Sequence, residues 1–126
     1  MKKILIVDDE AYIRTLLEQI LEELEDEYGV KVLVARDGKE CLEIIKKEKP
    51  DLVFLDVMMP KMNGYDVCKQ IKLDPELKDI KIVFLTAKGQ EADKKQGLDF
   101  GALKYITKPF DPDEILEETK KLLNLD

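Results

Sequence analysis

Five short apolar runs punctuate the chain: Ile4 to Val7, Val32 to Ala35, Leu52 to Leu55, Ile82 to Leu85 and Tyr105 to Ile106. Each is followed by turn chemistry and then by a helical pattern. Most of the runs are continuously apolar and β-branched instead of alternating, which is the signature of strands covered on both faces. Strands that alternate with helices and are covered on both sides build a parallel sheet in an α/β domain.

The helical patterns support this. Ile13, Leu16, Leu17, Ile20, Leu21 and Leu24 recur at helical spacing, while Arg14, Glu18, Glu22, Glu23 and Glu25 take the opposite face. A second helix is expected from Asp37 as N-cap, with Cys41, Leu42, Ile44 and Ile45 on its apolar side and Pro50 beyond its end. A third is expected from about Tyr65 to Leu73, and a fourth, less apolar, from about Gln90 to Phe100. The last opens on Asp111, Pro112, Asp113 and Glu114, an N-cap, a proline in the first turn and a capping-box acid. With 126 residues the chain can build one sizeable core, and the expectation is a single domain over 1–126.

Composition removes several chemistries. The sequence has no His, Ser or Trp, which excludes a Ser- or His-based catalytic triad and any His-ligated zinc or haem. Cys41 and Cys68 form no C-x-x-C pair and have no histidine to activate them, so they read as reduced, buried structural thiols. Twenty-eight acidic against 21 basic residues give a net charge of -7, which opposes non-specific attraction to nucleic acid or to an anionic membrane. No apolar run approaches the roughly 20 residues of a bilayer span. The expectation is a cytoplasmic domain with no direct nucleic-acid or membrane contact.

The polar residues at the strand ends are the informative ones. Asp8 and Asp9 close the first run, Asp56 the third, Thr86 the fourth, and Lys108 with Pro109 the fifth. All fall at the carboxyl edge of a parallel sheet, where open α/β sheets bind their ligands. Right-handed crossovers that cover both faces put the first strand between the second and third, an order of 2-1-3-4-5, and bring Asp8, Asp9 and Asp56 together. Taken singly, Asp9 reads as a helix N-cap, Thr86 as a backbone-satisfied hydroxyl and Lys108 as a solvated lysine. In combination, three crowded carboxylates call for a cation, and oxygen-only ligands favour Mg²⁺. Its ligands would be Asp8 or Asp9, Asp56 and a backbone carbonyl just beyond, assigned to Met58. A carboxylate there can act as nucleophile toward a phosphoryl group, with Lys108 and the Thr86 hydroxyl neutralising its oxygens.

These residues carry a resemblance that runs end to end. ILIVDDE (Ile4 to Glu10), PDLVFLDVMMPKMNG (Pro50 to Gly64), VFLTA (Val83 to Ala87) and KYITKPF (Lys104 to Phe110) together resemble the receiver domain of two-component response regulators. The resemblance implies a doubly wound (βα)5 flavodoxin-like fold, with Asp56 as phosphoacceptor. It implies Asp8 and Asp9 as the Mg²⁺-binding pair, directly or through water, and Met58 as carbonyl ligand. Thr86 and Lys108 become phosphoryl contacts, and the Lys108–Pro109 bond is implied to be cis. Thr86 and Tyr105 would couple the site to a face made by the fourth helix, the fifth strand and the last helix. Ala87 leaves small-residue access, and Met58 and Lys88 flank the path of the attacking water. The implied partners are a sensor histidine kinase or phosphotransfer protein, which must supply the phosphohistidine, and an output protein or domain, or a second copy through that face.

Other functions fit less well. A phosphatase of the haloacid-dehalogenase type needs an Asp two positions after the nucleophile, where this chain has Met58. A flavodoxin-like carrier needs a neutral, hydroxyl-rich loop after the first strand, where this chain has Asp8, Asp9 and Glu10. A pseudo-receiver that serves only for docking or dimerisation is the remaining alternative.

Overall fold

A computed structural model describes residues 1–87 and 101–125. In chain order these form β1 (Lys3–Val7), α1 (Ala11–Tyr28), β2 (Lys31–Ala35), α2 (Gly38–Glu48), β3 (Leu52–Asp56), α3 (Gly64–Leu73), β4 (Lys81–Ala87), β5 (Lys104–Lys108) and α4 (Pro112–Leu122). The five strands make one parallel sheet in the order β2-β1-β3-β4-β5, as the handedness argument requires. The helix expected over 90–100 lies outside the described residues.

The two faces of the sheet are sorted by the two-residue period of the strands. Leu5 and Val7 of β1, Val53 and Leu55 of β3, and Ile82 and Phe84 of β4 pack with Cys41 and Ile45 of α2 and Val67, Cys68 and Ile71 of α3. Their neighbours Ile4, Ile6, Leu52, Phe54, Val83, Leu85 and Ile106 pack with Ile13, Leu17, Leu21 and Leu24 of α1 and Ile115 of α4. This accounts for the unbroken apolar runs, since no residue of the central β1, β3 and β4 cores faces water. Cys41 and Cys68 are free and buried, and burial pushes their thiols up to about 12 and about 11, as expected of structural cysteines.

Helix ends follow local chemistry. The Asp37 carboxylate accepts from the Glu40 amide at 2.8 Å and caps α2; Lys49, left-handed at φ 47°, closes it before Pro50. Asn63 caps α3 through the Asp66 amide at 3.0 Å. Asp111 caps α4 through the Asp113 amide at 2.9 Å, one residue earlier than a capping box uses. At α1 the expected Asp9 cap is absent: Glu10 holds the N-cap position in extended backbone, with no side-chain hydrogen bond. Asp9 is therefore left for other work. Asp37→Ala removes the acceptor for the Glu40 amide and is expected to cost about 1 kcal/mol, read as a lower urea midpoint at unchanged slope.

Candidate functional site

The strands run further than their apolar cores, so Asp56, Thr86 and Lys108 are strand residues held by the ladder itself. Register places Asp56 opposite Leu85, Thr86 opposite Thr107 and Ala87 opposite Lys108. Asp8 follows directly after Val7, whose partner is Leu55, so Asp8 and Asp56 leave the sheet at the same level. Asp8, Asp56 and Thr86 are all buried.

Every polar atom of Asp8 has a partner. Its amide donates to the Ala35 carbonyl at 3.2 Å, its carbonyl accepts from Arg14 Nη1 at 2.8 Å, Oδ1 accepts from the Glu10 amide at 2.9 Å and Oδ2 accepts from Lys108 Nζ at 2.7 Å. The same ammonium stands 3.5 Å from Asp56 Oδ1 and 3.9 Å from Glu10 Oε1. Burial opposes the charge on Lys108, but the bond to Asp8 and the charges of Asp56, Asp8 and Glu10 outweigh it and raise its pKa. Lys108 is thus a half-buried, paired cation and not a solvated one.

Asp56 is pushed up from its ordinary 3.8 to about 7. Burial is the largest cause, the Asp8 charge the next, and a hydrogen bond with Asp9 adds to them. Lys108 and the Met58 amide, which donates to Asp56 Oδ1 at 3.3 Å, work in the opposite direction without cancelling the rise. One ammonium is too little positive charge for this group of acids.

The carboxylates of Asp8, Asp9 and Glu10 offer oxygens within 4.8 Å of one another. All are hard donors, which suits a divalent ion such as Mg²⁺. The unmet negative charge at Asp56 fits such a cation as well. The Thr86 hydroxyl is buried and has no hydrogen-bond partner among the described residues, an orphan that an incoming oxygen would satisfy.

Of the remaining residues singled out in the sequence, Met58 is 60% exposed beside Asp56 whereas Met59 is buried. Met62 packs against the core. Ala87 ends β4 and is exposed. The Lys108–Pro109 peptide bond is cis. Lys88 lies outside the described residues. Four residues carry parts of the site that sequence reasoning did not assign. Glu10 joins the acidic cluster, and its place directly after Asp8 and Asp9 was the available signal. Arg14 anchors the Asp8 carbonyl, which nothing in the sequence announces. Gly64 packs so tightly that a Cβ there would collide with the Asp56 carbonyl oxygen. Tyr65, next to it, reaches Tyr105.

The doubly wound parallel sheet is a flavodoxin-like scaffold that gathers acids, a hydroxyl and an amine at the carboxyl ends of four strands. The sequence matches the response regulator receiver domain family over residues 4–120, and the chain belongs to that family. It is 48% identical over 122 residues to the alkaline phosphatase synthesis transcriptional regulatory protein PhoP of Bacillus subtilis, covering 97% of this chain and 48% of that protein. It is 47% identical to the probable transcriptional regulator ycf27 of Cyanophora paradoxa, with the same coverage. Among solved structures it is similar to the chemotaxis protein CheY4 of Vibrio cholerae, at 31% identity and a TM-score of 0.86 over 97% of this chain and 98% of that one. The chain spans about half the length of the curated relatives it matches. Because those relatives are named transcriptional regulators, the expectation of no nucleic-acid contact gains no support for a longer protein. Among the described residues, no helix is long and apolar enough to cross a membrane.

The raised pKa of Asp56 makes stability depend on pH. The folded chain binds this proton more tightly than the unfolded chain, so the contribution is full below about pH 4 and is lost as pH rises through about 7. With a chelator present, Asp56→Asn is expected to gain on wild type between pH 5 and pH 8, by on the order of 1 to 3 kcal/mol in urea unfolding. An equal difference at both pH values would refute the assignment. Gly64→Ala must move backbone to relieve its contact with Asp56 and is expected to lose more than about 2 kcal/mol, seen as a lower melting temperature.

Proposed function

We propose that residues 1–126 act as one receiver domain in which Asp56 accepts a phosphoryl group. The observation that carries the reading is the Lys108 ammonium set against the buried pair Asp8 and Asp56, with the partnerless Thr86 hydroxyl on the neighbouring strand. The donor is a phosphohistidine on a sensor histidine kinase or phosphotransfer protein, since this chain has no histidine of its own. An Asp56 carboxylate oxygen bonds to phosphorus as the phosphorus–nitrogen bond breaks, and the departing imidazole takes a proton from solvent.

Lys108 and Thr86 do their part by position. Lys108 is held by Asp8 on one side and can offer its charge to a phosphoryl oxygen on the other. Thr86 gains the acceptor it lacks. Asp8 and Asp9, with Asp56 and the Met58 carbonyl, would hold Mg²⁺, and Glu10 stands close enough to contribute. That ion supplies charge neutralisation to the phosphoryl oxygens when bound. Slow loss of the group follows when water attacks phosphorus and releases inorganic phosphate, with exposed Met58 flanking its approach.

Once Thr86 is drawn to the phosphoryl group, the inward position of Tyr105 on β5 is favoured further and the surface around β5 and α4 changes. An output protein or domain, or a second copy of the chain, reads that surface. The cytoplasm is the compartment this reading requires. In a protein of the relatives' length the output would be a transcriptional one, and the charge of -7 belongs only to the 126 residues here.

The test is intact-protein mass after incubation with acetyl phosphate, with and without Mg²⁺. Wild type is expected to gain one phosphoryl group only with Mg²⁺, Asp56→Asn none, and Lys108→Ala to react about a hundredfold more slowly. No gain under any condition would favour the docking-module alternative.

A further inference from the structure

Tyr65 stands in the first turn of α3, buried, directly after the glycine that packs on the Asp56 carbonyl. Tyr105 is half-buried on β5, opposite Phe84 of β4. Phe84 lies two residues before Thr86, so Phe84 and Thr86 share one face of β4. Tyr105 packs against the core on that face. Three rings meet there. Phe84 touches Tyr65 edge-on, with centroids 5.0 Å apart and planes at 70°, and touches Tyr105 at 5.3 Å and 33°. The circuit closes where the Tyr105 hydroxyl donates to the Tyr65 hydroxyl at 3.2 Å.

We propose that Tyr65 is a positioning residue of the switch, whose hydroxyl holds the Tyr105 ring inward against Phe84 before any phosphoryl group arrives. The inference rests on the reading of Asp56 as phosphoacceptor and of Thr86 and Tyr105 as its coupled pair, and it names the residue that sets their resting equilibrium. Phe84 alone gives Tyr105 an apolar surface and no directional tie. The Tyr65 hydroxyl supplies the tie from α3, an element fixed to the phosphoacceptor strand by the close approach of Gly64 to Asp56. Tyr105 is therefore inward in the unphosphorylated chain, and phosphorylation has less of the β5 change left to drive. By linkage, a ligand that favours the inward ring binds more tightly because Tyr65 has already populated it. One partly buried hydroxyl–hydroxyl bond corresponds to about a two- to tenfold bias.

Tyr65→Phe keeps the ring and its contact with Phe84 and removes only the hydroxyl. With four tyrosines in the chain, ring-¹³C tyrosine NMR is simple to assign, using Tyr105→Phe to identify its signal. Without ligand, the Tyr105 signal is expected to move toward that of a solvent-exposed ring in Tyr65→Phe. Beryllofluoride with Mg²⁺, a phosphoryl analogue, should move the wild-type signal little and return the variant's to the wild-type position, with an apparent affinity about two- to tenfold weaker in the variant. If the ligand-free Tyr105 signal is the same in both proteins, the proposal is wrong, even if the variant melts earlier as any lost packing contact would cause. If beryllofluoride fails to bind wild type, the phosphoacceptor reading fails instead. The ligand-free comparison still decides the role of Tyr65.

Discussion

Asp8 and Asp56 leave adjacent strands at one level, both buried, and a single ammonium from Lys108 faces them. Burying two carboxylates costs several kcal/mol each unless charge and hydrogen bonds compensate. Asp8 is compensated completely, with four partners on its four polar atoms. Asp56 is not, and its pKa of about 7 records the deficit. The chain thereby compensates one buried carboxylate fully and leaves its neighbour short of positive charge.

The fold supplies this arrangement because every strand of a parallel sheet ends at the same edge. The two-residue period then decides what each end can reach. Lys108 continues the face of Ile106, on the side of α1 and α4, whereas Thr86 continues the face of Phe84, on the side of α2 and α3. The Lys108 ammonium and the Thr86 hydroxyl thus start from the same edge but belong to opposite faces. An oxygen bound near Asp56 can meet both, and only the Thr86 face leads on through Phe84 to Tyr105 and Tyr65.

Much of this was legible beforehand. The unbroken apolar runs specified a covered parallel sheet, and right-handed crossovers that cover both faces, together with the family resemblance, pointed to the order β2-β1-β3-β4-β5. Asp37 and Asp111 announced their helices because a capping side chain acts within three residues. Asp9 shows where local reasoning fails: an acid after a strand resembles a cap, yet the helix starts one residue later on Glu10. Reading Thr86 and Lys108 singly suggested a satisfied hydroxyl and a solvated amine. The packed sheet made the first an orphan and tied the second, half-buried, to Asp8.

The sequence by itself determined the layers, the strand order and the edge at which the reactive residue types gather, because those depend on periodicity and chirality that act over a few residues. Only the tertiary structure decided which groups meet. The Lys108–Asp8 bond spans 100 residues and the Tyr105–Tyr65 bond spans 40. The entry of Glu10 into the acidic cluster and the close approach of Gly64 to the Asp56 carbonyl are equally matters of register and close packing. Side-chain pairing at such distances is set to within an ångström by how the strands align and the helices seat. No pattern along the chain encodes it.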